Sequence, residues 1–161
     1  MEAISRRLND LAEWTMALLL AAMTLVTGLA IAGRFAFSYS LFWSDELTRF
    51  LLIWISFLGM SVGVRRGAHP GIDSLVRGLS PRTARIVFSC AAVLSLLFFA
   101  VMVIYGEVLI LRTWPQRSPS MGLRMTVPYL AVPVAGLLML FHGFALWRRG
   151  GPSVASGGQD G

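Results

Sequence analysis

Four apolar runs, separated by short charged stretches, set the pattern of this chain. Residues 14–33, 50–64, 86–106 and 125–147 hold no Asp, Glu, Lys or Arg. A helix needs roughly 20 apolar residues, at a rise of ~1.5 Å each, to cross the hydrocarbon of a bilayer. Three runs reach that length directly, and the second reaches it when extended back towards Trp43. The pattern predicts an all-α integral membrane protein with four transmembrane helices, over about 13–33, 44–66, 81–111 and 125–147.

Local chemistry supports these boundaries. Residues 1–13 are polar, with Leu8 and Leu11 at helical spacing, and are expected to extend helix 1 along the membrane surface. Arg6 and Arg7 before an apolar run, and Ala30-Ile31-Ala32 after it, imitate a signal peptide. The run exceeds the usual ~7–15-residue core of such a peptide, so it reads as helix 1. Ala17, Ala21, Thr24, Gly28 and Ala32 recur every three or four residues and give that helix one small-residue face. Tyr39 and Trp43 suit a headgroup-level aromatic belt.

Ser44 is the expected N-cap of helix 2, with Asp45 and Glu46 in the first turn, where negative charge favours the helix dipole. Arg65, Arg66, Gly67 and Pro70 mark its end. Beyond Pro70, Ile72, Leu75, Val76 and Leu79 share one face while Asp73 and Arg77 take the other. This predicts a short interfacial amphipathic helix over about 71–79. Ser80-Pro81 combines a cap with Pro at the first helical position. Pro128 fits a first turn, and Pro133 is expected to bend helix 4 or free a carbonyl. Residues 150–161 read as a flexible tail, which leaves 1–149 as one membrane domain.

Composition agrees with this layout. Of 161 residues, 56% are hydrophobic and 14% charged, a balance unlike that of a soluble domain. The net charge of +6 comes entirely from Arg, and the arginines flank apolar runs instead of forming a patch. They therefore read as topology signals, not as a nucleic-acid surface. Nine (6, 7, 65, 66, 77, 82, 85, 148, 149) fall on one side and five (34, 49, 112, 117, 124) on the other, which predicts both termini in the cytoplasm. A single cysteine, Cys90, leaves no disulfide or CxxC centre within the chain.

The candidate chemistry is sparse. Asp45, Glu46 and Arg49 stand together at the start of helix 2, with Asp45 and Arg49 at favourable i,i+4 spacing. Two readings fit them: a locally neutralised helix start, or a contact site for a partner subunit. A proton or ion relay would need groups across the whole bilayer. Gly59, Gly63 and Gly67 form a doubled GxxxG stripe suited to close helix packing, internal or with another chain. Glu107 falls at the outer end of helix 3, within range of Arg34, Arg112 or Arg124. His69 and His142 raise the alternative of a haem-binding membrane anchor of a respiratory enzyme, although His69 lies beyond the end of helix 2. No phosphate loop, metal-ligand cluster or nucleophile–base pair suggests an enzyme, and no cofactor is called for.

From Trp43 to Asp73 the chain resembles the small membrane subunit (DctQ type) of tripartite ATP-independent periplasmic (TRAP) transporters. The resemblance rests on Trp43, Asp45-Glu46, Arg49, Trp54, Phe57-Leu58-Gly59, Arg65-Arg66-Gly67, His69 and Asp73. A second stretch, with Ser118-Pro119 and Pro128-Tyr129-x-x-x-Pro133, is similar to the start of that family's last helix. Pro70 and Arg124 depart from the pattern, each standing where an aliphatic or apolar residue is usual. The resemblance implies a scaffold partner of the large TRAP membrane subunit in the bacterial inner membrane. There the complex takes up an organic acid delivered by a periplasmic substrate-binding protein, driven by an ion gradient. It implies partner or helix-packing roles for Trp43, Asp45, Glu46, Arg49, Trp54, Gly59, Gly63 and His69. Membrane lipids are further expected neighbours.

Overall fold

The computed structural model describes residues 2–39, 41–66 and 80–148. They form α1 (Glu2–Phe37), α2 (Ser44–Arg65), α3 (Pro81–Thr113), the single-turn α4 (Thr126–Tyr129) and α5 (Ala131–Arg148). Four segments are long and apolar enough to cross a membrane: Ser5–Ala36, Ser44–Arg65, Arg82–Thr113 and Thr126–Arg148. The chain is thus a multi-pass, all-α membrane protein. The expected interfacial helix over 71–79, Gly67, His69 and the tail from 150 lie outside the described residues.

The helices do not close into a symmetric bundle. α2 packs on α1 and α5, α5 packs on α3, and the α3 backbone comes close to neither α1 nor α2 among the described residues. α1 reaches α5 as well, through Ser5 and His142. α1 and α3 therefore stand at the two edges, and most of their apolar surface is open. Leu25, Leu29, Leu94, Leu97 and Ile104 are all exposed. In water such surface would be destabilising, whereas lipid tails or a partner chain solvate it without penalty.

Two small cores hold the arrangement. Val64, Phe99, Ala135 and Met139 join α2, α3 and α5, while Ala12, Leu58 and Val62 join α1 to α2. The tightest seam lies between α3 and α5. A Cβ on Gly136 would stand 2.9 Å from Cγ2 of Val103, and one on Gly106 would stand 2.8 Å from Cδ of Pro133. Small residues let these backbones approach, the usual basis of helix association in lipid.

The structure redraws several boundaries. α1 is one continuous helix from Glu2, so residues 2–13 continue the span axis instead of turning along the membrane surface. At 1.5 Å per residue it is about 54 Å long. Ser5 and Asn9, expected in a polar lead-in, are buried against the other helices. Trp43, not Ser44, holds the N-cap position of α2 and makes no side-chain cap. Ser44 lies inside the helix and its hydroxyl donates backwards to the Leu41 carbonyl at 2.7 Å. The cap expected at Ser80 is present: its Oγ accepts from the Thr83 N–H at 3.4 Å. The last span breaks at Leu130, between α4 and α5. Pro133 cannot donate to the Tyr129 carbonyl, so the break falls where the sequence placed a bend.

The seam generates a first prediction. Gly136→Leu should push α3 from α5 and cost about 1–3 kcal/mol, as overpacking does. Gly63→Leu should leave the isolated chain unchanged, because nothing lies within 4 Å of its would-be Cβ. The fraction of each variant that stays monodisperse in detergent after graded heating measures the difference.

Candidate functional site: the two polar ends

Polar side chains gather at the two ends of the helix array and leave its middle apolar. At the end that carries Arg34 and the start of α2, Glu46 is the organising group. One of its carboxylate oxygens accepts from the backbone N–H of Ser120 at 2.9 Å and of Met121 at 3.3 Å. The acid at the start of α2 thereby fastens the loop between α3 and α4. That loop is itself a tight hairpin. Ser118 donates its N–H to the Leu123 carbonyl at 2.8 Å, and its hydroxyl accepts from the Leu123 N–H at 3.2 Å. Gly122 turns the chain with a φ of +64°, a conformation that favours glycine. Arg117 donates to the Gly122 carbonyl at 3.0 Å, and the Arg124 guanidinium lies 4.4 Å over the Trp114 ring.

Trp54 makes the next tie. Its indole N–H donates to the Val127 carbonyl at 3.2 Å, beside the break in the last span. An intrahelical donor for that carbonyl would come from Ala131, the first residue after the break. A side chain from α2 thus ties that helix to the first turn of the last span.

Asp45 and Arg49 behave differently from Glu46. Both are exposed, and among the described residues neither has a hydrogen-bond or ion-pair partner, so the i,i+4 pair suggested by their spacing is not closed. They instead line a cleft of about 350 Å3 between α1 and α2, together with Thr27, Ala30, Ile31, Arg34, Phe35, Ser44 and Thr48. Trp43 is half-buried above the first turn. Glu107 is exposed and pairs with no arginine among the described residues.

The glycine stripe of α2 separates into two environments. A Cβ on Gly59 would meet Cε of Met16 on α1 at 3.4 Å, an ordinary contact, while Gly63 faces open space. The small-residue face of α1 also points outward: Ala17, Ala21, Thr24, Gly28 and Ala32 are all exposed.

At the opposite end a second polar group ties α1, α2 and α5 together. His142, only 2% exposed, shares a hydrogen bond of 2.9 Å between its Nδ1 and the Ser5 hydroxyl. Asn9, one turn after Ser5, donates to Glu13 at 2.7 Å. Glu13 in turn forms an ion pair with Arg66 at 2.8 Å. Sequence reasoning weighed His142 only as a haem ligand and passed over Ser5 and Asn9. Their i,i+4 spacing on an otherwise apolar-facing turn was the available signal. The haem-anchor alternative gains nothing here, since its second histidine, His69, lies outside the described residues.

Glu46→Ala should release the hairpin. Two half-buried N–H groups would lose their acceptor, at about 1–3 kcal/mol. Amide exchange at Ser120 and Met121 should accelerate by roughly tenfold or more while exchange in α5 stays unchanged.

The comparisons with known proteins bear on this layout as a whole. Residues 23–150 match the family described as tripartite ATP-independent periplasmic transporters, DctQ component. The chain is 30% identical over 123 residues to the C4-dicarboxylate TRAP transporter small permease protein DctQ of Rhodobacter capsulatus, covering 73% of this chain and 54% of the relative. It is 31% identical over 99 residues to the protein of the same name from Vibrio cholerae, covering 62% of this chain and 42% of that one. It is also 31% identical over 100 residues to the isethionate TRAP transporter permease protein DctMQ of Oleidesulfovibrio alaskensis, covering 60% of this chain and 16% of that one. The chain thus spans about half the length of the first two relatives. With the matched region running from within α1 to just past α5, this chain belongs to the DctQ component family of TRAP transporters.

Proposed function

We propose that this chain is the small permease subunit of a TRAP transporter, a non-catalytic scaffold for a large membrane subunit in the bacterial inner membrane. The observation that carries this reading is the family match across residues 23–150, which includes α2, α3 and α5 in full. The distribution of polar groups supports it. The four apolar runs hold no Asp, Glu, Lys or Arg to relay an ion, which fits a supporting role beside a subunit that carries the transport path. The relative named DctMQ supports a large partner in the membrane.

The same reading assigns surfaces. The outward small-residue face of α1 and the open Gly63 side of α2 suit close approach by another helix. Glu46 keeps the outer hairpin in place and Trp54 the start of the last span, on the side where a substrate-binding protein delivers its cargo. Both termini lie in the cytoplasm by the arginine bias, which also puts the His142 and Glu13 group at the cytoplasmic end. The cargo is an organic acid, the class to which the C4-dicarboxylates named for two relatives belong. His69 remains a contact residue of this assembly.

Co-expression with a large TRAP membrane subunit and its binding protein tests the proposal. The two membrane subunits should co-purify, and vesicles containing them should accumulate substrate only when the binding protein is added. Arg49→Ala, which removes one of the two cations that share a cleft with Asp45, should lower uptake several-fold. Uptake by vesicles that hold this chain alone, or a large subunit fully active without it, would reject the scaffold role.

A further inference from the structure

The cleft between α1 and α2 sits where the polar and apolar parts of a bilayer meet. It presents the guanidinium groups of Arg34 and Arg49 and the carboxylate of Asp45. None of these three has a partner among the described residues, although charges at membrane depth are normally paired. Beside them, α1 contributes a wall of Ala30, Ile31 and Phe35. Ile31 and Phe35 are 55% and 83% exposed, so this wall is apolar and open. Because α1 is an edge helix, the cleft opens beside the surface that meets lipid.

We propose that this cleft is a binding site for one phospholipid, with a phosphoethanolamine headgroup between Arg34, Arg49 and Asp45 and an acyl chain along Ala30, Ile31 and Phe35. Two guanidinium groups match a phosphodiester, which they can hold through charge-assisted hydrogen bonds. The ammonium of the same headgroup is two carbons away and carries three N–H donors, which suits a carboxylate next to the phosphate site. Phosphatidylglycerol would satisfy the arginines but offer Asp45 neutral hydroxyls in place of a cation. Phosphatidylcholine brings a cation without N–H donors. A soluble carboxylate would use the arginines and leave the apolar wall bare. The cleft therefore selects for a lipid, and for this headgroup, through the carboxylate.

Native mass spectrometry of the full-length chain, delipidated in detergent and titrated with phosphatidylethanolamine, phosphatidylglycerol or phosphatidylcholine of equal chain length, tests this. The wild type should retain one phosphatidylethanolamine at least tenfold more tightly than either other lipid. Arg34→Gln combined with Arg49→Gln should weaken that retention at least tenfold. Asp45→Asn should keep a bound lipid and lose the preference over phosphatidylglycerol. The Asp45→Asn comparison stands by itself if the double variant does not fold. Equal retention of all three lipids by the wild type, undiminished retention by the double variant, an unchanged preference in Asp45→Asn, or displacement of the lipid by millimolar succinate would each overturn the proposal.

Discussion

The structure depends on how neighbouring helices pack around a break in its central helix. α5 is the element that touches α1, α2, α3 and α4, and its approach is interrupted at Leu130 by the requirements of Pro133. Two neighbours brace the break. Trp54 of α2 donates its indole N–H to the Val127 carbonyl, and Gly106 of α3 leaves room for the Pro133 ring. The tryptophan, the glycine and the proline lie on three different helices yet serve one local event. That event fixes how α2 and α3 stand relative to the last span.

The ends of the helices are fastened by a different physics. Glu46 holds the hairpin between α3 and α4 through backbone N–H groups, so its grip does not depend on which side chains the hairpin carries. The opposite end relies on side-chain pairs, Ser5 with His142 and Glu13 with Arg66. Backbone capture by a carboxylate suits a loop that must keep its shape. Side-chain pairing suits helices whose apolar faces already set the spacing.

Much of this architecture was legible in the sequence because it follows from period, length and punctuation. The four apolar runs became four spans, Ser80-Pro81 became a cap, and Pro133 marked a break. What could not be read was direction. Glycine spacing places Gly59 and Gly63 on one side of α2 but does not say what they face. The closest approach occurs at Gly106 and Gly136, which no repeat links. Asp45, Glu46 and Arg49 are adjacent in sequence, yet Glu46 turns to a loop more than 70 residues away while the other two face a cleft. Ser5 and Asn9 looked like solvated lead-in because the sequence ahead of a span is usually wet. Their burial depends on where α5 ends, which only tertiary packing decides.

α1 has a mechanical consequence of its own. It is about 54 Å long against a hydrocarbon thickness of about 30 Å, and it contains no proline. Such a rod has no hinge. A change of tilt at its Arg34 end must reappear, reversed in sense and similar in size, at its Ser5 end. The hydrogen bond to His142 and the Glu13–Arg66 pair sit on the far arm of that lever. Whatever presses on the Arg34 end of α1 is therefore felt at the opposite end of the span as strain on two polar contacts.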